Sequence, residues 1–384
     1  MRRYLFELKN FFRKGDLILL LMCLITSTFG CIIICSATNP IGFSRYLTVQ
    51  IAAIVLGVMF YMMTSSLDVD TLSEHRSVLV GIGVFLLMLL IPFGTGDNLG
   101  NRSWLDLPLI PVDIQPAEIC KITYILITAS VMNSHKNRIS SPVSVFHMIF
   151  HLVLLFGLNI VLSRDLGVSL IYVFVFIGMA FSGGVSMFWF LLAGGLLVIA
   201  APVLWNNFLD GYQKDRIEML FNPEVDPEGL GVRWHTRQSL LSLNGGGFSG
   251  QGLFNGNRTQ TDSLNAQHTD FIFSAIGEEL GFVGCMLVIV LLFFIIARCI
   301  YVGIRSQDYM RRMICFGAAS ALVFQVFINI GMCIGVAPVI GITLPFVSYG
   351  GSSTVSLYAM LGLVSGVFAR PSPDVHERYI QAPR

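Results

Sequence analysis

Charge is scarce in this sequence: only 12% of its 384 residues are Asp, Glu, Lys or Arg, whereas 54% are hydrophobic. Ordinary soluble domains carry about 25% charged residues. Mean hydropathy is +0.74, so too little polar sequence remains to cover a water-exposed surface, and a soluble globular protein is excluded. A disulfide framework is missing as well. All eight cysteines (Cys23, Cys31, Cys35, Cys120, Cys285, Cys299, Cys315 and Cys333) fall in or at the ends of apolar segments, and none forms a CxxC pair. They read as small hydrophobes rather than as bridges or metal ligands. The basic segment 1–16 precedes an apolar run of about 20 residues, but no small-residue cleavage site follows it. That run is therefore expected to stay as a first spanning helix. Net charge is only +1, and no nucleic-acid partner is expected.

What the chain has in quantity is long apolar runs. A helix needs about 20 mostly apolar residues to cross the hydrocarbon, and that ruler gives ten segments: 17–36, 46–65, 77–95, 114–132, 145–162, 166–183, 186–205, 280–298, 312–335 and 350–369. The expected fold is an all-α integral membrane protein of about ten spanning helices, forming a single domain over 1–384. The sixth and seventh form a tight hairpin of short helices across 182–185. Short connections assigned to one side hold Arg76, Lys136, Arg138, Arg298, Arg305, Arg311 and Arg312, with Arg2, Arg3, Lys9, Arg13 and Lys14 before the first span. Those on the other side hold only Arg45, Arg102 and Arg164. This asymmetry puts both termini on the cytoplasmic side and the long polar loop 206–279 outside, between helices seven and eight. That loop has prolines 223 and 227, three glycines at 245–247 and several large apolar residues, including Trp234. It is expected to be ordered, with a short helix near 233–243. The glycines read as a flexible hinge.

Ionisable residues at the outer ends of spans are candidates for chemistry, because such groups are costly near lipid. Three clusters qualify. Asn-Arg-Ser-Trp-Leu-Asp-Leu (101–107) is followed by Gln-Pro-Ala-Glu-Ile-Cys-Lys (115–121). Pro116 suits a first helical turn, and Glu118 and Lys121, three apart, share a face. A buried ion pair that only staples helices fits that spacing equally well. In Ser-Arg-Asp-Leu-Gly (163–167), Asp165 is placed to cap a helix. In 267–281, Asp270 precedes an apolar run that contains Glu278 and Glu279. Capping by Thr269 or Asp270 would account for one of these three acids. A fourth segment, 341–353, is rich in small and hydroxyl residues, including Ser348 and Ser352. It suits close backbone packing around a re-entrant turn broken at Pro345, or contact with a substrate.

His-Thr-Asp-Phe-Ile-Phe (268–273), Gly-Glu-Glu-Leu-Gly (277–281), Asn-Ile-Gly-Met (329–332) and Thr-Leu-Pro-Phe-Val-Ser-Tyr-Gly-Gly-Ser-Ser (343–353) closely resemble the SEDS proteins (shape, elongation, division and sporulation), the family of RodA, FtsW and SpoVE. The segments around Glu118 and Asp165 resemble that family's Gln-Pro-Ser-Glu and Asp-Leu-Gly motifs. Ala117 stands where the family has serine, and 263–266 lacks its Leu-Pro. The resemblance runs from the first helix to residue 369, and the short tails lean toward the elongation (RodA-like) type. It implies ten helices in the bacterial cytoplasmic membrane and a peptidoglycan glycosyltransferase that polymerises lipid II. A class B penicillin-binding protein is implied as crosslinking partner, with membrane lipids around the chain. It also implies that Asp270 matches the family's essential aspartate, and that Glu118 and Lys121 match its glutamate and lysine.

An inverting transfer of this kind needs a base for the attacking hydroxyl and positive charge for the departing diphosphate. Asp270 is the expected catalytic base. Lys121, with Arg102 nearby, is expected to hold the diphosphate, joined by a divalent cation (Mg or Mn). Glu118 would orient Lys121, and Asp165, Ser348 and Ser352 complete the substrate-binding candidates. A flippase for the lipid-linked precursor and a non-catalytic scaffold are the competing readings. The first would favour charges near the midplane in paired, broken helices.

Overall fold

In hydrocarbon every backbone N–H and C=O must find a partner within the chain, which leaves helices as the economical way across for an apolar sequence of this kind. The computed structural model describes residues 14–96, 101–106, 114–207, 211–222, 226, 231, 233–264 and 266–370. Its regular structure there is almost wholly helical; a two-residue strand pair, Gly94–Thr95 (β1) with Trp104–Leu105 (β2), is the one sheet among these residues. The principal helices are Leu17–Ala37 (α1), Phe43–Ser66 (α2), Arg76–Met88 continued by Leu90–Phe93 (α3 and α4), Pro116–Ser134 (α5), Pro142–Ser163 (α6), Leu166–Ser182 (α7), Met187–Asn207 (α8), Trp234–Gly246 (α9), Ile272–Arg305 (α10), Tyr309–Cys333 (α11) and Gly351–Ala369 (α12). Eight helices among the described residues are long and apolar enough to cross a membrane; α7, at 17 residues, is one short apolar helix more. Helix α5 fills the remaining expected span.

The helices sort by what they touch. Fifteen of the 19 residues of α5 are buried, including Glu118 and Lys121, so this most polar span lies in the middle of the bundle. Helix α12 packs beside α2 with its backbone close: at Gly362 an added Cβ would stand 2.4 Å from the Tyr61 carbonyl oxygen. Helix α8 is the opposite case. It begins after a turn at Gly183 and Gly184 and exposes nearly every apolar side chain it carries, Leu191, Val198 and Ile199 among them. At 21 residues it matches the expected segment 186–205 to within two residues at each end.

The eighth span differs most from its expected boundaries, 280–298. Helix α10 covers 34 residues, but Gly281 has φ 65° and ψ −162°, which splits it into a short leading helix and a longer one. Only glycine adopts that backbone without strain. A Cβ there would also stand 2.3 Å from the Gly250 nitrogen and 2.6 Å from the Phe248 carbonyl oxygen. The break thus lets the outer loop press against the helix.

Helix α9 appears in that loop close to the expected 233–243. Within the glycine run at its end, a Cβ on Gly246 would lie 1.8 Å from the Gly277 carbonyl oxygen. Gly246 serves close packing of α9 on α10, whereas Gly247, at φ 56°, has nothing within 4 Å of an added Cβ. Prolines 223 and 227 lie outside the described residues.

Candidate active site

Residues 268–270 arrive at the start of α10 in a turn whose carbonyls are held one after another. The Tyr349 N–H donates to the His268 oxygen at 2.8 Å. Ser348 Oγ donates to the Thr269 oxygen at 2.6 Å. Asn329 Nδ2 donates to the Asp270 oxygen at 2.8 Å and to the Ile342 oxygen at 2.7 Å. The partners come from α11 and from the irregular, partly buried segment 334–350. The Leu344 N–H also donates to Ser348 Oγ at 2.8 Å, so this hydroxyl is fully engaged in fixing the turn. The half-buried Asp270 side chain faces Gly341, where an added Cβ would lie 3.7 Å from Oδ2. Neither Thr269 nor Asp270 caps α10; Phe271 occupies the cap position, with no side-chain hydrogen bond.

On the other side of the same segment stands the second cluster. A Cβ on Gly167 would lie 2.3 Å from the Ile340 carbonyl oxygen and 3.4 Å from Asp165 Oδ1, so Asp165 and Asp270 flank residues 340–341. Asp165 caps α7 through the Val168 N–H at 3.1 Å, as its position in sequence suggested. Its other oxygen accepts from Ser103 Oγ at 3.3 Å and Gln115 Nε2 at 3.2 Å. Burial pushes the Asp165 carboxyl above the ordinary aspartate range, and the nearby Glu118 charge adds to that, against the hydrogen bonds it accepts. Ser352 Oγ accepts the Gln115 N–H at 3.1 Å, which secures the start of α5. Arg102 is exposed, with its backbone N–H on the Ser163 oxygen at 2.9 Å.

Glu118 and Lys121 do form an ion pair, Nζ to Oε2 at 2.7 Å, with side chains 3% and 1% exposed. Ser356 Oγ of α12 donates to the same carboxylate oxygen at 2.7 Å. Sequence spacing left a staple and a functional pair equally open. The depth of burial shows that Lys121 is covered here and reaches a diphosphate only if the bundle opens above it. Among the described residues no group of three or more His, Cys, Asp or Glu side chains is placed to hold a metal ion.

Glu278 and Glu279 have a different office from that of Asp270. Each is 1% exposed. Glu278 accepts from the Arg258 N–H at 2.9 Å, the Thr259 N–H at 2.9 Å and Thr259 Oγ1 at 2.7 Å. Glu279 accepts from Ser36 Oγ at 2.7 Å and Gln260 Nε2 at 2.9 Å. They tie the loop at 256–260 to α10 and α1. Two features were invisible to spacing arguments: the Asn329 double bond, and an aromatic corner in which His268 meets Tyr46 at 4.9 Å and Tyr349 at 5.7 Å between ring centroids. Burial lowers the His268 pKa, with Asp262 opposing.

Fold and site define a multi-pass membrane protein with an acidic site at one end of its helices. The family model described as "Cell cycle protein", covering FtsW, RodA and SpoVE, matches residues 16–371, and the chain belongs to that family. It is 33% identical over 366 residues to the peptidoglycan glycosyltransferase MrdB of Escherichia coli, covering 94% of this chain and 95% of that one. Identity is 31% over 369 residues to the probable peptidoglycan glycosyltransferase FtsW of Trichlorobacter lovleyi, with 93% and 94% covered. Among solved structures, a chain from work on the structural coordination of polymerization and crosslinking by a peptidoglycan synthase complex superposes with a TM-score of 0.77 at 27% identity, covering 94% of this chain and 99% of that one. The rod shape determining protein RodA of Thermus thermophilus superposes with a TM-score of 0.69 at 26% identity, covering 94% and 98%.

Proposed function

We propose that this chain is a peptidoglycan glycosyltransferase that joins lipid II units into glycan strands at the outer face of the bacterial cytoplasmic membrane. Its family membership and its similarity to MrdB and FtsW support the activity. The observation that carries the mechanism is the triple clamp on 268–270, which holds the Asp270 backbone at an outer helix end. In the reaction, a sugar hydroxyl of one lipid-linked unit attacks the anomeric carbon of the other. The bond from that carbon to the lipid diphosphate breaks, the configuration inverts, and Asp270 takes the hydroxyl proton. Arg102, exposed at the rim, holds the departing diphosphate; Lys121 joins it when its cover opens, oriented by Glu118. Asp165, Ser348 and Ser352 position the segment against which the substrates lie.

A positioned general base contributes about 10²- to 10⁴-fold. Asp270→Asn in liposomes supplied with labelled lipid II should lose polymerisation by a factor in that range, and a wild-type rate would overturn the assignment. The excess of basic residues at the opposite end supports cytoplasmic termini. A class B penicillin-binding protein is the partner that fits, since a relative's structure comes from a complex coordinating polymerization and crosslinking. The flippase alternative draws on the partly buried, irregular segment 334–350. The same assay separates the two, because a flippase moves labelled lipid II without making polymer.

A further inference from the structure

Beyond the Asp270 turn, the long polar loop carries a concavity that the proposed mechanism does not use. It has a volume of about 430 Å³, within the roughly 300–1,000 Å³ range of small-ligand sites, and is lined by Trp234, Gln238, Arg258, Asp262 and Ser263. An indole, an amide, a guanidinium, a carboxylate and a hydroxyl thus converge on one space. We propose that this pocket is a saccharide subsite that holds the growing glycan strand beside Asp270. The inference rests on the polymerase reading and specifies where its product lies.

Several observations point to a sugar. Trp234 is half-buried, and among the described residues no ring stacks on it, which leaves an apolar platform for the C–H face of a pyranose. The polar groups around it are built in place. Gln238 is 6% exposed and its Oε1 accepts from Arg258 Nη1 at 2.6 Å. The Arg258 backbone is anchored on buried Glu278. Asp262 is held at φ 51°, in the left-handed region, with Phe254 (φ 62°) and Ala266 (φ 52°) nearby. Three such non-glycine residues within 13 positions store strain of the kind that collects at ligand sites. A lipid diphosphate fits poorly, since the Asp262 carboxylate would repel it and the polar lining offers nothing to a polyprenyl chain. Neutral hydroxyl and acetamido groups suit both the carboxylate and the guanidinium.

The pocket is mechanically joined to the reacting end. His235, next to Trp234, stacks on Phe271 at 6.1 Å and 24°. Ser239 Oγ meets Ser274 Oγ at 2.5 Å and the Cys333 oxygen at 2.6 Å. Gln267 Nε2 donates to the Thr259 oxygen at 3.0 Å. A strand seated in the pocket therefore stays registered with Asp270 between additions.

The test compares strand lengths made by reconstituted full-length protein at matched lipid II consumption. Trp234→Ala and Arg258→Ala should give glycan at least threefold shorter, whereas Trp234→Phe, which keeps a platform, should restore most of the length. A merely destabilising change would lower the amount of product without shifting its length distribution. In parallel, binding of a β-1,4-linked N-acetylglucosamine tetrasaccharide to Asp270→Asn protein in detergent is measured by saturation-transfer NMR; adding Trp234→Ala should abolish the signal. Wild-type strand lengths in both alanine variants, or tetrasaccharide binding indifferent to Trp234, would overturn the subsite. If wild-type protein made no polymer, the polymerase reading itself would fall, while the binding measurement would still report on the pocket.

Discussion

At the scale of single residues, burial separates acids that look alike in sequence. Asp270 stays half-buried at a helix end, whereas Glu278 and Glu279 are wholly enclosed and spend their charge on loop donors. The Glu118–Lys121 pair is the instructive case, because its desolvation is costly and its partner cannot be removed without penalty. Lys121→Ala leaves a buried carboxylate that keeps the Ser356 hydroxyl but no countercharge at its side, and should cost roughly 3–5 kcal/mol. The paired change Glu118→Gln with Lys121→Met removes both charges together and should recover most of the melting temperature in detergent. If the pair serves the reaction, that stable double variant remains inactive on lipid II. Wild-type polymerisation by it would reduce the pair to a staple.

Elements explain why the described part of the long polar loop, 233–264, is ordered. Loops beyond about 15 residues without structure of their own are uncommon in compact proteins, and this one solves the problem by borrowing acceptors from α10. Glu278→Ala would strip the Arg258 N–H, the Thr259 N–H and Thr259 Oγ1 of their shared acceptor. Each stranded donor costs about 1–3 kcal/mol if it stays buried. The expected outcome is local release, seen as protease cleavage within 251–263 at least tenfold faster than in wild type, with the spanning helices intact. Cleavage at the wild-type rate would show that Glu279 and the packing of Gly250 on Gly281 suffice.

Across the bundle as a whole, contacts sort the connections into two ends. At one end Arg298 pairs with Asp16 at 2.9 Å, Arg311 with Asp70 at 2.6 Å, and Tyr309 OH donates to the Gly183 oxygen at 2.8 Å. At the other, Ser36 meets Glu279 and Arg102 meets Ser163. The first end is the one rich in arginine, and the topology proposed from the positive-inside rule assigns it to the cytoplasm. A cysteine placed at exposed Phe248 should then react with a membrane-impermeant maleimide added to intact cells, well above the background of the native cysteines. One placed at Arg305 should react only after the cells are opened. The reverse pattern would invert the topology and remove Asp270 from the outer face.

Membrane residence, the helical class, nearly every span and the charge asymmetry could all be read from the sequence, because they depend on local composition and on rules that act over about 20 residues. Asp270, Glu118, Lys121 and Asp165 stand out in the sequence as candidates, since an ionisable residue beside apolar runs is conspicuous wherever it is finally packed. Their burial and hydrogen-bond partners came only with the packing. The break at Gly281 depends on the approach of residues 248–250, and the clamp on 268–270 comes from residues 329 to 349, some 60 to 80 positions away. The burial of Lys121 depends on the helices packed around α5. Hydropathy carries no record of such long-range closures, because they are set by which surfaces meet rather than by what each segment prefers on its own.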